Sequence, residues 1–171
     1  MKVGFKKIVS NLIIFIIVVI IIGFIFAENS KNEVFNRLKN RKFTIGKYLK
    51  DETPGRAGVV AIYVYNVKNK QFTESQSKGN FPESTARYGH YYFVSYNSKR
   101  PSNSFLYLNI EVPDSLIKKY KDSSFRKLPI KKFQTIADST VLNYLTTGVS
   151  KYFPPYYDKE DLPELEYLIE D

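Results

Sequence analysis

Residues 59–77, "VVAIYVYNVKNKQFTESQS", decide the fold. "VVAIYVYNV" (59–67) is rich in β-branched and aromatic residues and is short, so it is predicted to be a strand. "KNK" makes a tight connection into "QFTESQS" (71–77), and the two runs are predicted to pair as a hairpin.

Working outward, "KFTIGKYLK" (42–50) alternates imperfectly through Phe43, Ile45, Lys47 and Leu49 and reads as a short strand. "PGRAG" (54–58) and "KGNFPES" (78–84) are loops. "YGHYYFVSYN" (88–97) is a further strand, turned by "SKRPSN" with Pro101 ending any ladder. "SFLYLNIEV" (104–112) sets Phe105, Tyr107, Asn109 and Glu111 against Leu106, Leu108, Ile110 and Val112, the pattern of a half-buried strand. Five short strands over 43–122 predict an α+β domain. Its sheet is expected to be a small five-stranded antiparallel sheet or an SH3/OB-like barrel, since a barrel leaves fewer free edges.

Short helices are expected to follow. "PDSLIKKYKD" looks like a helix start with Leu116, Ile117 and Tyr120 inward. "TIADSTVLNYLTTG" (135–148) fits a helix capped by Asp138 or Ser139 and stopped at Gly148. Residues 123–171 form a helical or irregular extension that ends acidic and holds one short helix over 163–169, with Pro163 in its first turn.

"AIYVYNVKNKQF" (61–72) has the form Y-x-Y-x-V-x-x-K-x-F. Val94, Tyr96, Asn97, Pro101, Asn103 and Ser104 then give V-x-Y-[DN]-x-x-x-P-x-[NS]-S. This middle third of the chain resembles a group of small bacterial membrane-anchored proteins of unknown function with a compact β-domain. The departures are Asn97, where Asp is commoner, and the long acidic, aromatic tail. The resemblance implies architecture and location, and no activity.

The amino-terminal region bears on location directly. Ile8 to Ala27 is twenty residues with only Ser10 and Asn11 polar. A helix of that length spans roughly 30 Å, the thickness of a bilayer core, and satisfies its own backbone there. The run is longer than the apolar core of a cleaved signal, and Phe26-Ala27 is not a small-x-small cleavage site, so a retained single-pass anchor is expected. Residues 1–7, with Lys2, Lys6 and Lys7, become a basic cytoplasmic tail; 28–42 become a helical stalk; the domain lies outside.

Charge is uneven. The 171 residues carry a net +9, yet Asp158 to Asp171 hold seven acids and one base, so residues 1–157 carry +15. A body this basic attracts anionic lipid or another polyanion. Because the bases are scattered, with no Lys/Arg run longer than two, the plainer expectation is a solvated surface partly neutralised by its own tail.

Chemistry is sparse. There is no cysteine and one histidine, His90, so no cofactor and no metal site is expected. P-loop, G-x-G-x-x-G and G-x-S-x-G motifs are missing. His90 lacks an evident partner and reads as a strand-face residue. Glu160, Asp161 and Glu164 pair only in the tail, where a solvated face is the simpler reading. Arg87-Tyr88 and Lys99-Arg100 interleave bases with rings, but a membrane anchor argues against nucleic acid as partner. The densest aromatic patch is Tyr152, Phe153, Pro154, Pro155, Tyr156 and Tyr157. It is either a docking peptide or a strap laid over the domain by its own rings. The expectation is a non-enzymatic envelope interaction or accessory protein, with the lipid bilayer and an envelope protein as partners. The rivals are a small envelope hydrolase or carbohydrate-active enzyme and an immunity-type protein that uses its acidic tail.

Overall fold

The computed structural model describes residues 2–55, 58–78 and 85–147, with backbone alone at 2–9, 26–28, 30–35 and 144–147. The chain divides into two units, Met1–Phe35 and Asn36–Asp171. The first is helical. Helix α1 runs Lys2–Lys39, and its apolar side chains from Leu12 to Ile25 are 45–73 % exposed all round it. Among the described residues no helix is long and apolar enough to cross a membrane; the side chains of α1 are described continuously over 10–25 only.

The second unit begins inside the last turn of α1. Leu38 is buried, the Arg37 guanidinium lies over the Phe105 ring, and Arg37 Nη1 donates to the Ser104 carbonyl at 3.1 Å. Residues 36–42, expected as the end of a stalk, are therefore part of the domain. The domain boundary falls earlier than 43 because Leu38 is buried and Arg37 finds its partner at Ser104, 67 residues away, which local spacing cannot reveal.

Five strands follow: β1 (Arg41–Glu52), β2 (Val60–Val67), β3 (Lys70–Ser77), β4 (Tyr91–Asn97) and β5 (Ser104–Glu111). They form one sheet in the order β3-β2-β1-β4-β5, with every neighbouring pair antiparallel. The predicted hairpin is β2–β3. Lys68 and Asn69, both at positive φ (50° and 62°), make its two-residue reversal, the backbone that matches strand twist.

The sheet curls on itself. Register slips between Tyr48 and Lys50 and between Tyr92 and Val94 bend β1 and β4. Although three strands separate β3 from β5, the Gln76 side chain of β3 reaches the Leu106 backbone of β5. Its Nε2 donates to the carbonyl and its Oε1 accepts the N–H, both at 2.7 Å. A side-chain amide thus stands where a peptide would. The five-stranded antiparallel sheet is as expected, but the barrel is not closed: no backbone ladder joins β3 to β5.

The second layer comes from helix α2 (Asp114–Tyr120), residues 121–130 and helix α3 (Lys131–Thr147). Leu116, Ile117 and Tyr120 of α2 are half-buried, as their spacing predicts. Phe125 exchanges backbone hydrogen bonds with Phe43, while Phe93 meets the rings of Phe125 and Phe133. This layer covers the outer face of β5. Phe105 to Leu108 are consequently all buried, instead of half of them, and only Asn109 and Glu111 keep the expected exposure. Asp138 and Ser139 lie inside α3 and cap nothing. Asp138 accepts from Arg41 Nη1 at 2.8 Å and from Gln134, which ties α3 to β1.

The core is largely phenolic. Tyr48, Tyr63, Tyr92, Tyr96 and Tyr107 are among its largest fully buried side chains. A buried phenol needs a partner for its hydroxyl. Tyr63 shares a hydrogen bond with Ser104 Oγ (2.8 Å), Tyr96 donates to Ser124 Oγ (2.8 Å) and Tyr107 to Ser95 Oγ (3.1 Å). Tyr65 donates to the Pro101 carbonyl, and Tyr92 accepts from the Arg87 N–H at 2.8 Å. Among the described residues no buried side-chain N or O lacks a partner.

A Cβ on Gly46 would lie 2.6 Å from Val94 Cγ2 and 3.2 Å from the Val64 carbonyl oxygen, both on fixed neighbouring strands. Gly46→Ala is therefore expected to destabilise the domain by about 1–3 kcal/mol in denaturant titration. Burial also pushes the hydroxyls of Tyr63, Tyr65 and Tyr107 above the usual tyrosine range. Above about pH 10 the unfolded chain releases protons that the folded one retains, so the contribution of these tyrosines is fully present below that point and is lost as pH rises past it. Circular dichroism against pH should show alkaline unfolding with a midpoint above the titration of free tyrosine.

Candidate functional site

The described titratable side chains gather most densely where β1 ends and β4 begins. The Asp51 carboxylate, near the end of β1, collects three donors: Tyr48 Oη on Oδ1, and on Oδ2 Tyr88 Oη at 3.0 Å and Lys78 Nζ at 2.8 Å. The slip after Tyr48 brings Tyr48 and Asp51 together, three positions apart. Lys78 arrives from the end of β3, its ammonium 5.8 Å from the Tyr48 ring centre. Tyr88 comes from the turn before β4, its ring 5.0 Å from Tyr48.

A second carboxylate, Glu111 at the end of β5, accepts from Arg87 Nη2 at 3.0 and 3.1 Å and lies 2.7 Å from His90 Nδ1. Tyr92 links the two groups: its hydroxyl holds the Arg87 N–H and its ring meets Tyr48 edge-on at 6.2 Å.

The electrostatics fix both acids as anions. Burial pushes Asp51 up, but the hydrogen bonds from Lys78, Tyr48 and Tyr88 and the Lys78 charge outweigh it, so its carboxyl sits below the usual range. Glu111 is held low chiefly by the hydrogen bond from His90, with Arg87 adding to it against a smaller effect of burial. Conversely, burial and the Asp51 carboxylate raise the Tyr48 hydroxyl. Carboxylates held in this state accept hydrogen bonds and bind cations; they do not donate protons near neutrality.

His90 is thus not a strand-face residue. It precedes β4, half-exposed, with Glu111 as the partner its sequence neighbours did not disclose. Such a pairing orients an imidazole, but among the described residues no hydroxyl bonds its other nitrogen. Nor do three or more His, Cys, Asp or Glu of the described residues come together as a metal would require. The aromatic patch Tyr152–Tyr157 and the acids Glu160, Asp161 and Glu164 lie outside the described residues.

The residues behind the family resemblance have a structural role here. Asn97 Oδ1 accepts the Lys99 N–H at 2.9 Å and the Arg100 N–H, while its Nδ2 donates to the Asn36 carbonyl at 3.2 Å. An aspartate keeps the first two bonds and loses the third, which accounts physically for asparagine at this position. Pro101, Asn103 and Ser104 build the same β4–β5 turn. Neither the family models, nor the curated proteins, nor the solved structures contain a match to this chain.

Asp51→Asn is expected to cost about 1–2 kcal/mol near neutral pH, since it strips a charged acceptor from three donors. Because the folded Asp51 stays ionised below the unfolded value of about 3.9, its contribution is present above about pH 4. It disappears as pH falls through the folded value, so the stability gap between wild type and variant should close on the acid side.

Proposed function

We propose that the protein is a single-pass, membrane-anchored interaction module of the bacterial envelope, non-enzymatic, with α1 as the anchor over 8–27. The observation that carries this reading is the environment α1 needs. From Leu12 to Ile25 its large apolar side chains are exposed on every side of the helix, with no polar stripe to meet water. A contiguous apolar surface of this kind is stable in lipid or against a partner. The twenty-residue run has the length of a bilayer core.

The domain contributes a framework in which, among the described residues, no buried side-chain polar atom lacks a partner. Asp51 and Glu111 are engaged in holding turns together, which suits a scaffold better than a proton-transfer centre. The resemblance to small membrane-anchored bacterial proteins agrees with this reading. The amino-terminal tail, with three lysines in seven residues, stays in the cytoplasm and the domain stands outside, where an envelope protein is its partner.

The test is fractionation of the intact chain. Wild type should resist carbonate extraction and enter detergent. Ile16→Arg combined with Ile20→Arg should move it to the soluble or degraded fraction, because arginine at the middle of a membrane helix costs about 2.5–3.5 kcal/mol per residue. Uncleaved wild-type chain in the soluble fraction without detergent would overturn the reading.

A further inference from the structure

The bases that look scattered in sequence are gathered by the topology. β1 and β5 begin, β2 and β4 end, and the β2–β3 hairpin turns at one end of the sheet. Three stretches meet there: 36–42 (NRLKNRK), 66–70 (NVKNK) and 97–103 (NSKRPSN). Arg41 is paired with Asn97 in the ladder, and the Ser98 N–H donates to the Asn40 carbonyl at 2.9 Å. The stretches contain eight Lys and Arg and no Asp or Glu. Arg37 and Arg41 serve the fold, the first on Ser104 and the second on Asp138. Lys39, Lys68, Lys70, Lys99 and Arg100 are exposed and Lys42 is half-exposed. Among the described residues Asp122 also reaches this end, where it accepts from Asn66 Nδ2 at 3.0 Å.

The opposite end is arranged differently. Its bases and acids meet in pairs: Lys50 with Glu52, Lys78 with Asp51, Arg87 and His90 with Glu111. One end of the domain is therefore internally neutralised and the other carries a surplus of positive charge.

We infer that the basic end formed by residues 36–42, 66–70 and 97–103 is a binding surface for anionic lipid headgroups. The inference rests on the anchor reading and adds the partner of the domain itself. The domain's chain enters at Asn36, within this same end, so the tether to an anchor over 8–27 attaches where these cations are gathered. Lysines on turns, with the exposed Asn69 and Ser102 near them, offer point charges and short donors to phosphate oxygens. Attraction of this kind acts within roughly 8–10 Å at physiological salt.

The chain has no cysteine, so single labels can be placed on the full-length protein. A fluorophore at Ser102→Cys reports the basic end and one at Thr53→Cys the opposite end; both positions are exposed. In nanodiscs carrying a headgroup-attached quencher, the Ser102 label should be quenched several-fold more with phosphatidylglycerol than with phosphatidylcholine alone. High salt should abolish the difference, and the Thr53 label should show none. Each cation is worth about fivefold in affinity for an anionic surface, so replacing Lys39, Lys68, Lys70 and Lys99 together by Gln should abolish the difference between the two lipids, with an unchanged circular dichroism spectrum.

Equal quenching in both lipids, or in both labels, overturns the inference while the anchor stands. So does quenching that appears only after the acids of 158–171 are neutralised, because the tail then occupies the surface. A chain that enters no disc overturns the anchor reading instead. Sedimentation with phosphatidylglycerol vesicles then decides the surface alone: salt-sensitive binding supports it and its absence removes it.

Discussion

Everything in the domain rests on bringing aromatic rings into a strongly curled sheet without stranding a hydroxyl. Tyrosine gives a core more bulk than leucine but adds a polar atom that must be answered. Three of the answers come from turns and strand starts, Ser104, Pro101 and Ser124, and a fourth from Ser95 within β4. The first three bonds fix connecting segments to the core that created the need for them. The curl also requires a place where two strands come close, and Gly46 on the central strand provides it against Val94 and Val64. Phenolic packing and sheet curvature are thus one solution, since a flatter sheet would not carry Gln76 to Leu106.

Much of this was legible from residue order. The β2–β3 hairpin, the strand identities, α2 and the α+β class follow from alternation, β-branching and turn residues, all of which act locally. What could not be read is what depends on distant partners. The outer burial of Phe105 and Tyr107 needs the layer over β5, and the role of Asp138 needs Arg41, ninety-seven residues earlier. The pairing of His90 with Glu111 and the gathering of donors around Asp51 arise from strand order, which alternation alone does not specify. The same applies to charge: a run-length view of the bases misses that three turns share one end of a sheet.

The two ends of the sheet divide the work of the charged residues. At one end every described acid of the strand termini is satisfied by a neighbouring base, which stiffens turns at modest energetic gain, since half-exposed pairs contribute about 0–1 kcal/mol each. At the other, Arg37 and Asn97 fasten the entering chain to the sheet before the exposed lysines begin. The segment that connects the two units is thereby built into the fold of the second from Asn36 onward.

The Gln76 bridge has an evolutionary corollary. Where two strands are joined by a ladder, parting them takes many coordinated changes. Here one side-chain amide spans β3 and β5, so a single codon decides whether that bridge exists, and spontaneous deamidation to glutamate would set a negative oxygen against the Leu106 carbonyl. Ageing of the protein and drift of its gene therefore converge on the same contact.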